Sequence, residues 1–360
     1  LGNDRSTAAT LSAASATWTH HILRAVINFL LALALAALTA WGAFAIYLGD
    51  SAISPVRTAL ASAFSLYGLA AIFGLFSRRW RGRMLGAYAA LFIILLAWWL
   101  SITPSNDRAW QAEVARLPHA TIEGDLVTVH DVRNFAYRSE TDFTPAYYTR
   151  SYDLRKLAGV DLFSIYWMGP AIAHTIISFD FGDQGHLAVS IEARKEEGEG
   201  YSSVKGFFRQ YELIYIVADE RDVIRLRTSY RNDPPEDVYL YRLQGTPENA
   251  RRFFLAYIEA INDISEQPRF YNTLTANCTN IIWVHSLVNP GHLPFSWKLL
   301  ASGYAAEYLY SKGRLDTGTS FAELTQSGHI NQTARAAGEA ADFSSRIRAG
   351  LHSAAPPASP

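Results

Sequence analysis

Three uncharged apolar stretches, residues 25–48, 58–76 and 84–102, fill most of the first 104 positions. Each approaches the roughly 20 residues that an α-helix needs to cross a bilayer, so this part of the chain has few soluble folds open to it. Between the second and third lies "SRRWRGR", with Arg78, Arg79, Arg81 and Arg83. A short arginine-rich loop marks the cytoplasmic side, which sends the third stretch outward and leaves the chain from about Asp107 onward outside the cytoplasm. Trp41, Tyr47, Trp98 and Trp99 suit the interfacial belt. The first stretch is too long for the core of a cleaved signal peptide. With no Asp, Glu or Lys inside them, the spans read as an anchor and not as a transport path.

The formal net charge of −1 gives no basic excess, so nucleic acid is not an expected partner. A single cysteine excludes a disulfide framework and a zinc site built on several thiolates. No metal or cofactor is expected: the chain lacks a phosphate-binding glycine loop, a Gly-x-Ser-x-Gly elbow and a His-Glu-x-x-His helix.

After residue 120 the pattern changes to short runs of β character: "LVTVHDV", "DLFSIYWM", "HTIISFDF", "HLAVSIEA", "YELIYIVA", "DVIRLRT" and "VYLYRL". "TPENARRFFLAYIEAINDISEQP" reads as a helix, capped by Thr246, opened by Pro247 and striped by Phe253, Phe254, Tyr257, Ile258 and Ile261. A second helix begins near Cys278 and ends by Asn289-Pro290-Gly291. The fold class expected is α+β: transmembrane helices, then a largely antiparallel sheet with helices beside it. The expected organisation is an N-terminal segment over 1–20, three transmembrane helices over 21–104, a thiol domain over 105–345 and a flexible tail over 346–360.

Cys278, at a helix start, sees the positive end of the helix dipole, which favours the thiolate. The competing reading is a small buried hydrophobe. A reactive thiol needs a base and the base an orienter. His174 opens the run "HTIISFDF", whose Thr175, Ile177, Phe179 and Phe181 alternate onto an apolar face, leaving His174 on the polar face of a half-buried strand. In the next run His186, Ser190, Glu192 and Arg194 share a face. Residues paired across a hairpin must share a face, so Asp180 opposite His186 is permitted and sets Glu192 opposite His174. Glu192 is the preferred orienter, with His186 as the alternative; Ser190 reads as structural. Asn277 and Tyr271 are candidates for oxyanion or site support, and Arg194 and Tyr201 weaker candidates for substrate contact.

The segment from "AHTIISFDFGDQGHLAVSIEARKEEGEGYSSVKGFF" to "RDVIRLRT", followed by "YNTLTANCTN", resembles the bacterial family of Lnb N-terminal periplasmic domains. The likeness covers roughly 104–345, and the preceding spans resemble its proteobacterial form. At superfamily level the order, strand histidine first and helix "NC" later, is similar to the circularly permuted NlpC-like papain fold, to which lecithin:retinol acyltransferase is related. The resemblance implies Cys278 as nucleophile, His174 as base and a periplasmic domain at the bacterial inner membrane. It also implies acyl transfer from a membrane phospholipid, through a thioester, to an amine such as a lipoprotein N-terminus. Two other functions fit the same residues: a cysteine peptidase or amidase acting on peptidoglycan, and a non-catalytic envelope interaction domain.

Overall fold

The computed structural model describes residues 4–49 and 54–351, with side chains from residue 21 on. The chain divides into two compact units: Leu1–Thr103 with Phe208–Gln210, and Pro104–Phe207 with Tyr211–Pro360.

The first unit contains α1 (Asp4–Leu48), α2 (Pro55–Gly74) and α3 (Arg81–Ser101). Three spans, His21–Leu48, Pro55–Gly74 and Arg81–Ser101, are long and apolar enough to cross a membrane. The helical backbone of α1 reaches back through the expected 1–20 segment as far as Asp4. Small residues let α1 and α2 approach closely: a Cβ on Gly68 would fall on Thr39. Thr39 in turn shares a 3.0 Å hydrogen bond with Tyr88 of α3. Phe29, Leu33, Leu66, Phe73 and Ile94 point outward and are exposed, as lipid-facing positions should be.

The second unit is built on β1 (His119–Glu123), β2 (Leu126–Arg133), β3 (Ala136–Tyr137), β4 (Phe143–Thr144), β5 (Tyr147–Asp153), β6 (Gly159–Tyr166), β7 (Ala173–Asp180), β8 (His186–Arg194), β9 (Glu212–Ala218) and β10 (Asp237–Arg242). The main sheet runs β1-β2-β9-β8-β7-β6-β10, with β5 paired to β2. All its ladders are antiparallel except the short β2–β9 contact, Arg133 with Ala218. The β7–β8 hairpin adopts the register deduced above, from Asp180 opposite His186 to Ile176 opposite Ser190. The helices are α4 (Glu220–Arg225), α5 (Pro247–Glu266), α6 (Cys278–Ser286), α7 (Trp297–Leu300), α8 (Ala305–Ser311), α9 (Phe321–Gly328), α10 (Asn331–Ala337) and α11 (Phe343–Arg346).

The sheet is covered on both faces, which corrects the expectation of half-buried strands. On one face Ile177, Phe179, Val189 and Tyr215 pack against α5 through Phe253, Phe254, Tyr257, Ile258 and Ile261, joined by Ile281 of α6. Each such side chain, fully buried, contributes about 1.5–3 kcal/mol. On the other face Ile165, Ile176, Ile214 and Leu240 meet Val223 and Ile224 of α4, Ala334 of α10 and Phe343 of α11. That layer overturns a second expectation. "DVIRLRT" is not a strand but the end of α4, continued by a π-helical turn over Leu226–Tyr230.

Polar residues on this second face are partnered inside the protein. Ser178 donates to Glu220 at 2.6 Å. Arg348 bridges two fully buried carboxylates, at 2.7 Å from Asp161 and 2.6 Å from Glu220. Ile347 is buried as well. Residues 346–351 of the expected flexible tail are thus ordered into the fold, and the remainder, 352–360, lies outside the described residues.

Removing Arg348 leaves buried Glu220 without its guanidinium, while Asp161 keeps Arg242 at 2.7 Å. Arg348→Ala is expected to cost about 3–5 kcal/mol of stability, the range for breaking a buried pair from one side. Guanidinium unfolding of the detergent-solubilised chain measures it, and a loss below 1 kcal/mol would contradict the assignment.

Candidate active site

The site forms where the first turn of α6 meets the start of β7. Asn277 is the N-cap of α6: its side chain accepts from the Asn280 N–H at 2.9 Å, and its Nδ2 donates to the Thr273 carbonyl at 2.8 Å. Both ends of this amide are engaged in setting the turn that presents Cys278, which is the site-support role among the two expected of it. Cys278 follows as the first helical residue. Its N–H and that of Thr279 belong to the first turn, where the helix supplies no carbonyl acceptor, and they carry the positive end of the dipole.

Cys278 is partly exposed and its sulfur meets two elements. The sulfur lies 3.8 Å from Thr279 Oγ1, and the backbone N–H and hydroxyl of Thr175 on β7 favour its ionised form. The ladder between β7 and β8 ends at Ile176, one residue short of Thr175. His174, next in line, is the strongest influence favouring ionisation of the sulfur.

One nitrogen of the imidazole faces β8. His174 Nε2 lies 2.8 Å from Ser190 Oγ and 3.1 Å from Glu192 Oε1, and Ser190 Oγ donates to that same oxygen at 2.7 Å. Because Ser190 gives its one proton to Glu192, it can only accept from His174. Nε2 therefore carries a proton, and Nδ1 faces the thiol. Arg227, from the π-helical turn, donates to Glu192 Oε1 at 2.9 Å and to Glu236 at 3.1 Å. Sequence reasoning missed both partners. Ser190 reads as an ordinary strand serine, and Arg227 sits in the run taken for a strand.

Electrostatics follows from this order. Burial pushes the Glu192 carboxyl up, but His174 and Arg227 hold it well below its usual range. Burial disfavours the imidazolium, yet the Glu192 carboxylate and Cys278 raise His174 to about 9. Burial likewise opposes the thiolate, and His174 with Thr175 brings Cys278 down to about 7. Between those values the pair holds a thiolate beside an imidazolium, the state a sulfur nucleophile requires.

The remaining candidates are placed as follows. Tyr271 is buried near the sulfur, its phenol pushed up by burial and by Cys278, and its Oη lies 3.3 Å from that of half-exposed Tyr201. His186 sits at the far end of β8, 3.6 Å from Asp180, and is not an alternative orienter. Arg194 is buried against Trp110 and donates to the Val114 and Ala115 carbonyls, so it holds the domain's entry segment and not a substrate.

Thr175 and Thr279, 3.1 Å apart at their hydroxyls, also line a cleft of about 770 Å³. Leu162, Ile177, Phe253, Trp283, Leu299 and Leu309 make its wall largely apolar. Its size falls in the range of small-molecule sites, about 300–1,000 Å³.

Residues 143–303 match the family model of the Lnb N-terminal periplasmic domain. The match runs from β4 past α7 and contains His174, Glu192 and Cys278, within the wider 104–345 likeness read from the motifs. No curated protein and no solved structure matches the chain. The three apolar helices and the periplasmic-domain family together fit a membrane-anchored protein.

As the sole cysteine, Cys278 permits a clean titration. Its alkylation by iodoacetamide is expected to rise with pH about a midpoint near 7. His174→Ala removes the largest influence favouring the thiolate and is expected to move that midpoint upward. Identical profiles for the two proteins would show that the ring does not act on the sulfur.

Proposed function

We propose that the chain is a periplasmic thiol acyltransferase, anchored in the bacterial inner membrane as a multi-pass protein. It takes an acyl group from a phospholipid and passes it to an amine, with a lipoprotein N-terminus the acceptor class that the family resemblance implies. The observation that carries this reading is the largely apolar cleft lined by Thr279, 3.8 Å from the Cys278 sulfur, and by its hydrogen-bonded neighbour Thr175.

In the first half-reaction the Cys278 thiolate attacks the ester carbonyl carbon. The carbonyl electrons move to oxygen, where the first-turn N–H groups of α6 can meet the developing charge. Collapse expels the lysophospholipid alkoxide, which takes its proton from the His174 imidazolium, and a thioester remains on Cys278. In the second half an amine attacks the thioester carbonyl, His174 removes the amine proton, and the thiolate leaves as the amide forms. Glu192 stabilises the imidazolium in both halves and stays ionised. A peptidoglycan amidase would use the same thiol, but it calls for a polar groove beside the sulfur, and the lining favours lipid.

Incubation of the purified chain with phospholipid vesicles is expected to add one acyl mass to Cys278, removable by hydroxylamine. Cys278→Ala is expected to gain nothing, and His174→Ala to acylate about 10²–10⁴-fold more slowly, the usual contribution of a general acid–base. Intact-mass spectrometry reads all three. A wild-type chain that stays unmodified would sink the proposal.

A further inference from the structure

The segment from Trp283 to Tyr304 is apolar on both of its sides. Inward, Leu293 and Leu299 line the cleft beside the sulfur. Outward, Phe295 and Trp297 are 51% and 61% exposed, and Leu300 is exposed beside them. This surface continues across a junction of hydrogen bonds. The Gly303 N–H donates to the Ala171 carbonyl, and the Ala173 N–H donates to Ser302 Oγ. Beyond that junction lies the loop leading into His174, where Met168 is 65% exposed and Ile172 is also uncovered.

Local packing holds these groups out. Trp283 donates its indole N–H to the Leu293 carbonyl at 2.9 Å and contacts the Phe295 ring at 5.3 Å. Trp297 leans on Tyr304 at 5.6 Å. Ordered aromatic groups facing water cost free energy unless something covers them.

The chemistry of the cover can be read from what is missing. Residues 283–304 contain no Asp or Glu, and neither do residues 167–173. Lys298 is the one Lys or Arg in the two segments, and it is paired with Glu307 at 3.1 Å. Segments free of carboxylates and carrying Trp, Phe, Leu and Met, with the neighbouring Glu307 held by Lys298, suit the interface of an anionic or zwitterionic bilayer. The second unit is also tethered beside the bilayer: the third span ends at Ser101 and the unit begins at Pro104.

We propose that Phe295, Trp297 and Leu300, with Met168 and Ile172, form a lip that dips into the bilayer and admits a single acyl chain to the cleft. The acyl-donor part of this inference rests on the thiol acyltransferase reading; insertion of the lip does not. A donor reaching Cys278 this way leaves its headgroup at the interface while its chain passes Leu293 and Leu299 toward the threonine pair.

The test uses the full chain with Cys278→Ala, reconstituted into vesicles of phosphatidylethanolamine and phosphatidylglycerol. A nitroxide is attached in turn at Phe295→Cys, Trp297→Cys and, for comparison, the exposed strand-end position Glu123→Cys. At the first two positions oxygen is expected to relax the label severalfold more than a water-soluble nickel chelate does, relative to position 123. Equal ratios at all three positions overturn the lip. In chains that keep Cys278, Phe295→Ser with Trp297→Ser is expected to slow thioester formation from vesicle phospholipid at least about tenfold, equivalent to about 1.4 kcal/mol. Iodoacetamide alkylation of Cys278 in the same chains reports that the site is intact. Unchanged acylation overturns the delivery role. If the wild type forms no thioester, acyl transfer falls, and the nitroxide ratios alone decide whether the lip inserts.

Discussion

Glu192 Oε1 accepts from Ser190 and Arg227 and lies against the His174 ring, and the charge held at that point governs the groups on either side. A carboxyl packed under a sheet and left alone would take up a proton. Arg227 prevents this, and Arg227 is itself neutralised by Glu236, which Arg231 meets at 3.1 Å. Outward from the sulfur the signs alternate: thiolate, imidazolium, carboxylate, guanidinium, carboxylate, guanidinium. Each charge is tolerable because its neighbours are opposite, and the low-dielectric cover from α4, α10 and α11 strengthens every link. The second helical layer thus sustains the thiolate as well as packing the sheet.

Much of this could be read from the sequence, for a physical reason. Side chains alternate along a strand, so once "HTIISFDF" and "HLAVSIEA" are taken as a hairpin, only registers that keep faces together survive, and one of them sets Glu192 across from His174. The cap and apolar stripe of α5 are local signals, and Thr246 and Pro247 occupy the positions those signals assign. The spans are legible because lipid tolerates so few backbone arrangements.

What escaped depends on distant chain. Alternation in "DVIRLRT" imitates a strand, and only the layer it packs against makes it a helix. The signal that could have corrected this is local: Asp219 as N-cap, with Glu220 and Asp222 in the first turn, is a helix start. The cover over the second face comes partly from Ile330, Ala334, Phe343 and Ile347, scattered through a polar C-terminal stretch where no periodic apolar pattern announces it. Arg194 failed as a substrate contact for a similar reason. Its partners, Trp110 and the Val114 and Ala115 carbonyls, lie some eighty positions earlier in the chain.

In the proposed reaction the threonine pair would separate two environments that have to be held apart. On one side the alternating charges hold the sulfur ionised; on the other the cleft wall is largely apolar, with Arg242, Asn249 and Arg314 among its polar members. A thioester formed at that boundary would carry its chain into the apolar side, displacing water there, while its carbonyl stayed next to the imidazole. Water and an amine would then compete only from the side where Cys278 is exposed. An acceptor seated there could outrun hydrolysis through its higher local concentration, without any further group on the protein to exclude water. The same thiol placed in an open polar groove would lose that advantage, and its chemistry would default to hydrolysis.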